Sequence, residues 1–260
     1  MKRIIVVESA YMNNYPIPKE HGAYVVLLAA WLFGIVYSHC VDITGFALAL
    51  ILPLSLFFLQ GPVRPLIHRK RKEKIRLHPF SITCFGISLF SGLLLALHSP
   101  RILYSSVPLA VITALYFYFV RRRSAQLLLS FIGFSGLALI TPVTVLASNC
   151  EITVSNLIII WLFVSLFFWG SLVCVNIRLS GGNGIARAMI YHILASTIIL
   201  FFAYYHSLRY SAITVIGISF LRLVIIIIYH SRYVKIKMKH IGIQESIIAA
   251  LGVIVSALPF

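Results

Sequence analysis

The sequence predicts an all-α, polytopic membrane helix bundle of about nine transmembrane helices with its amino terminus inside. Three observations predict it. Apolar types fill 60% of the 260 residues and charged types only 11%, whereas soluble domains carry about 25% charged residues. With a mean hydropathy of +0.99, such a chain cannot cover itself with polar surface. The apolar residues fall in nine runs near the roughly 20 residues that a helix needs to cross a bilayer. The 22 basic residues fall almost entirely on alternate connections between those runs. No ten-residue window alternates polar and apolar positions, which argues against a membrane β-barrel.

Residues 1–21 read as a cytoplasmic polar leader and 22–260 as one bundle domain. The opening MKRIIVVESA begins like a signal peptide. Its apolar run is cut at Glu8, short of the ~7–15 residues of such a segment, so the leader is expected to stay on the chain. Pro16 and Pro18 keep an upstream helix from entering the first span, 22–39. Lys19, Glu20 and His21 then stand at the membrane boundary, followed by the small pair Gly22-Ala23.

The second and third spans, 43–60 and 80–97, are joined by a loop with seven basic residues and Glu73 as its only acid. The fourth and fifth, 102–120 and 125–146, flank Arg121, Arg122 and Arg123. The sixth and seventh, 155–176 and 189–205, are joined by a Gly-rich loop between Arg178 and Arg187. Its backbone N–H groups and two arginines suit an anion, though a flexible topogenic loop has the same composition. The eighth and ninth, 211–230 and 241–258, contain Arg222 and Glu245. These are the opposite charges inside adjacent spans, at depths that an extended Arg side chain can bridge, so they are a candidate intramembrane pair; the alternative is an Arg222 that snorkels alone to the headgroups.

Sorted by connection, nineteen basic residues lie on one side; Arg101 and Arg209 lie on the other and Arg222 within a span. The positive-inside rule makes the basic side cytoplasmic. Positive charge is thus a topological signal that also attracts anionic lipid. The basic loop has no interleaved aromatics for base stacking, so nucleic acid is not expected as a partner. The nine histidines show no metal-ligand spacing, and no metal site is expected. Cys40 and Cys150 both fall on the outer side, where oxidation is permitted, and form a candidate disulfide.

The segment Pro18-Lys19-Glu20-His21-Gly22-Ala23-Tyr24 resembles the opening motif of the YwiC-like family of bacterial integral membrane proteins. The stretch with Arg178, Asn183, Arg187, Tyr191 and His192 is similar to that family's cytoplasmic segment, and Lys239-His240-Ile241-Gly242-Ile243-Gln244-Glu245 to its late motif. This resemblance implies a multi-pass protein of the bacterial cytoplasmic membrane and brings no activity with it. In architecture the chain also resembles the UbiA-type prenyltransferases, whose loops after helices 2 and 6 hold Mg²⁺ and a prenyl diphosphate on Asp-rich motifs. Here the loop after helix 6 has Asn176, Arg178 and Asn183 and no Asp, so no cofactor is expected and Mg²⁺ is disfavoured.

The leading expectation is a cytoplasmic-side cavity for an isoprenoid or other lipid-like, anionic ligand. Lys19, Glu20, His21, Asn176, Arg178, Arg187, His192 and Glu245 would bind it. If the protein is an enzyme, the expected reaction is prenyl or alkyl transfer to a membrane substrate. The rivals are a transporter using Arg222, Glu245 and His192 for charge compensation, and a non-catalytic membrane subunit serving a partner membrane protein. A lipid binder should present a tail-lined groove open to the bilayer; a transporter should present a midplane site and internal repeats, of which the sequence shows none.

Overall fold

The computed structural model describes residues 21–38, 40–67, 79–121, 126–180, 183–205 and 211–258. The described residues form helices α1 (His21–Tyr37), α2 (Ile43–Ile67), α3 (Pro79–His98), α4 (Ser106–Arg121), α5 (Gln126–Ala138), α6 (Ile140–Ala147), α7 (Val154–Leu179), α8 (Ile185–Tyr204), α9 (Ser211–Ile228), α10 (His230–Tyr233) and α11 (Met238–Ser256). No strand occurs among the described residues. The chain is an all-α polytopic bundle. Seven helical stretches among the described residues are long and apolar enough to cross a membrane, and two shorter apolar helices, Gly22–Tyr37 and Ile43–Leu59, precede them. Lipid offers no hydrogen bonds, so a spanning backbone must satisfy itself, and helices do so within one segment.

The structure corrects four predicted boundaries. The fourth run opens as a 3₁₀ helix, Pro100–Ser105, before α4. The fifth run is two helices that break at Leu139. Pro142, in the first turn of α6, has no N–H to return to the end of α5. The second run continues as helix to Ile67, through Gly61, Pro62 and Pro65. The eighth run ends at Ile228, and the turn at Tyr229 leads into α10.

α7 is the central helix and α4 the most peripheral: 61% of the former's spanning window is buried against 6% of the latter's. Phe163, Phe167 and Phe168 of α7 surround Phe33 of α1 with ring centroids 5.9, 5.7 and 6.4 Å away, all edge-on. The three Trp indoles each donate to a main-chain carbonyl, Trp31 to Phe46, Trp161 to Ser135 and Trp169 to Phe131. No indole N–H is therefore left bare in apolar surroundings.

The end opposite the basic loops is fastened by one polar knot. Asp42 caps α2 by accepting from the Gly45 amide at 2.9 Å, and its other oxygen meets His98 Nε2 at 2.6 Å. Asn149, in the left-handed conformation at φ 57°, directs its amide to the same pair. Beside it Cys40 and Cys150 are joined as a disulfide, with Cα atoms 5.7 Å apart. Ser38 Oγ donates to Ser148 Oγ at 2.6 Å. A Cβ on Gly45 would overlap the Ala147 carbonyl, so α2 meets the end of α6 backbone to backbone.

Two outcomes follow from this knot. Gly45→Ala should destabilise the protein by about 1–3 kcal/mol through overpacking, seen as a lower unfolding temperature in detergent; an unchanged temperature would show that α2 and α6 separate freely there. The Gly45 amide, seconded by His98, holds the Asp42 carboxyl below its ordinary value. Its contribution is therefore complete above the unfolded-state pKa of about 4 and is lost as pH falls through the lower folded value. Asp42→Asn should lower the unfolding temperature at neutral pH, and the gap from the parent protein should close in acid below about pH 4. A gap of constant size across that range would rule this out.

Candidate functional site

α9 is apolar on nearly every side, yet its buried residues form one stripe: Ser211, Ala212, Val215, Ile216, Ser219, Arg222, Leu223 and Ile226. That spacing is a single helical face, so Ser219 and Arg222 point into the bundle one turn apart. There they meet α7, α8 and α11. Arg222 Nη2 donates to Glu245 Oε1 of α11. Arg222 Nη1 lies 3.4 Å from Ser171 Oγ of α7. The Arg222 side chain is 9% exposed and that of Glu245 18%. Glu245 Oε2 is buried with no hydrogen-bond partner.

One turn along α9, Ser219 Oγ lies 3.3 Å from His192 Nε2 of α8. His192 Nδ1 is 2.8 Å from the Ala188 carbonyl, so Nδ1 carries a proton and donates. In neutral imidazole this leaves Nε2 to accept from Ser219. Gly170 of α7 makes room for this contact: a Cβ there would lie 2.9 Å from Ser219 Oγ. Towards the basic end, Tyr233 donates to the Cys174 carbonyl at 3.2 Å, and Arg178 Nε donates to the Ile236 carbonyl at 3.0 Å. These two bonds strap the α10–α11 connection onto α7.

Depth follows from the helical rise. Counted from the basic-end terminus of its own helix, each of Ser171, His192, Arg222 and Glu245 lies about 9–12 Å in. The four groups thus share one layer of the bundle, below the level where a short side chain reaches water. An isolated charge at such depth costs at least about 2.5–3.5 kcal/mol, and mutual neutralisation by Arg222 and Glu245 offsets that cost. Opening the pair would release a guanidinium that needs another anion.

The structure brings Arg178, His192, Arg222 and Glu245 to neighbouring helices of one quarter of the bundle. Asn176 is half-buried in the last turn of α7 and Arg187 is exposed in the first turn of α8. Neither joins the hydrogen bonds of the cluster. Lys19 and Glu20 lie outside the described residues, as do the His21 side chain and the basic 68–78 connection. Ser171 and Ser219 belong to the cluster and were not singled out in the sequence. Ser219 shares the buried face of α9 with Arg222, but the apolar residues all around that helix hide the face in the sequence. No group of three or more His, Cys, Asp or Glu suited to a metal occurs among the described residues.

The model of the YwiC-like protein family matches residues 17–145, which contain the Pro18–Tyr24 motif and helices α1 to α5. Over this stretch the chain is similar to the YwiC-like family, and its long apolar helices mark it as an integral membrane protein. The polar cluster, on α7 to α11, lies beyond the matched residues. No curated protein and no solved structure matches the chain.

If Arg222 and Glu245 neutralise each other, removing one partner strands the other in the bundle. Glu245→Ala should cost about 3–5 kcal/mol, and the double variant Arg222→Met/Glu245→Leu should recover most of it. Thermal unfolding in detergent reads both. A double variant no more stable than Glu245→Ala would contradict the pairing.

Proposed function

We propose that the protein binds an anionic, lipid-like molecule, of isoprenoid or acyl type, which reaches it through the bilayer from the cytoplasmic side. Arg222 is the anion-binding group in this reading, and Glu245 is the internal counter-ion that the ligand displaces. The observation that carries the reading is the depth of Arg222: a nine-tenths buried guanidinium inside a membrane-crossing helix, facing one carboxylate whose second oxygen has no partner. A cation held so far from water suits a ligand that arrives from lipid. Charge-assisted bonds to an anionic oxygen are among the strongest such a site can make. In this reading the guanidinium carries the anion, with no metal ion involved.

A second feature favours a lipid-like ligand over a water-soluble one. Between α2 and α3 runs a groove of about 420 Å³ lined by Ile51, Leu54, Phe58, Phe80, Cys84 and Ile87, with Ser55 as its polar group. It is the kind of tail-lined recess that shelters a hydrocarbon chain. The groove lies on helices other than those that carry Arg222, so it speaks for an affinity for lipid chains and not for the seat of the anion.

The test uses the purified full-length protein, native mass spectrometry, and a polyprenyl phosphate beside the corresponding polyprenyl alcohol. The parent protein should retain the phosphate over the alcohol. The double variant Arg222→Gln/Glu245→Gln removes both charges while keeping the packing. It should lose phosphate retention by about tenfold or more, the worth of a charge-assisted hydrogen bond, and hold the alcohol as before. Equal phosphate retention by parent and double variant would refute the site.

A further inference from the structure

At the end opposite the basic loops, Arg101, Tyr104, Leu146, Glu151, Thr153 and Leu157 line a cleft of about 470 Å³. This is within the range of about 300–1,000 Å³ for small-ligand sites. We propose that the cleft binds the headgroup of a zwitterionic phospholipid bearing a primary ammonium, with the phosphate on Arg101 and the ammonium on Glu151.

Three observations support it. First, neither charge has an ionic partner among the described residues. The acids among the described residues are Asp42, Glu151 and Glu245. Asp42 is held by His98 and Gly45, and Glu245 by Arg222. Among the described residues Glu151 has no ionic partner, and neither does Arg101. Opposite charges that line one cleft without pairing form a dipole complementary to a zwitterion.

Second, both charges stand on anchored backbone. Arg101 belongs to the 3₁₀ helix, which Ser99 fastens to α6 by donating to the Leu146 carbonyl at 2.7 Å. Glu151 sits between Cys150, bonded to Cys40, and Thr153, whose hydroxyl caps α7 by accepting from the Asn156 amide. Such fixed placement lowers the ordering cost of binding.

Third, the lining selects among headgroups. A primary ammonium donates hydrogen bonds to a carboxylate, and a quaternary one does not. Tyr104 is a lone aromatic, short of the cage that holds a quaternary ammonium. A purely anionic headgroup would face Glu151 with like charge. Buried Leu146 and Leu157 supply an apolar floor for the first part of the acyl chains.

The purified full-length protein is titrated in detergent with phosphatidylethanolamine, its mono-, di- and trimethylated forms, and phosphatidylglycerol of the same chains. Native mass spectrometry reads the retained lipid. Retention should fall stepwise with each N–H replaced, about fivefold from the primary to the quaternary amine, as suits one partly exposed ionic contact. Phosphatidylglycerol should be held no better than the quaternary form. Glu151→Gln should erase the preference among amines, while Arg101→Gln should weaken all the zwitterionic lipids together. Equal retention across the series, as from a non-selective lipid belt, would overturn the proposal. So would a preference for phosphatidylglycerol, or a preference among amines that survives Glu151→Gln. The methylation series requires no variant, so it decides the matter even if a substitution impairs folding.

Discussion

Arg222 and Glu245 exist in the middle of the bundle only because each has the other. Lipid and packed apolar side chains supply no solvation for an ion, so either residue alone would draw its helix toward water or water into the bundle. As a pair they do the reverse and tie α9 to α11 at a fixed height. Ser171 adds a contact from α7, and Ser219, one turn away on the same face, extends the polar layer to His192 of α8. Four helices are thus held in register by one electrostatic condition. The same condition makes the region chemically responsive, because whatever displaces Glu245 inherits a buried cation.

The two ends of the molecule solve their packing differently. At the basic end, side chains reach across to main-chain carbonyls, as Arg178 and Tyr233 do in strapping the α9–α11 connection to α7. At the opposite end three connections converge on Asp42, His98 and Asn149 beside the Cys40–Cys150 disulfide. The first leaves a charged layer about 10 Å inside the bundle. The second leaves a rim on which Arg101 and Glu151, without an ionic partner among the described residues, face a common cleft. A membrane protein so built meets its two leaflets with different chemistry.

Much of the bundle is legible in the sequence because lipid imposes a coarse rule: a run near 20 apolar residues becomes a helix. Among the described residues each of the nine runs is helical, and seven of the stretches are long and apolar enough to cross a membrane. What that rule misses is local. Leu139 interrupts the fifth run because Pro142 removes one main-chain donor, a detail that hydropathy averages away. Within the site, Arg222 and Glu245 stood out as charges in apolar surroundings, and adjacency in the chain brought them together. Ser171 and Ser219 did not stand out, since a serine in a membrane helix can satisfy itself on its own helix's carbonyls, as Ser91 does on α3 and Ser135 on α5. Arg187 resembled Arg178 in composition and context, but the turn at Gly184 starts α8 with Arg187 facing outward. Only the fold separates the two.

The whole arrangement requires Glu245 to be an ionised partner of Arg222 rather than a neutral acid buried beside it. Difference infrared spectroscopy of the reconstituted protein, parent minus Glu245→Gln at neutral pH, reads this directly. With Glu245 ionised, the substitution removes a carboxylate-ion stretching band. Loss of a protonated-acid carbonyl band instead would contradict it.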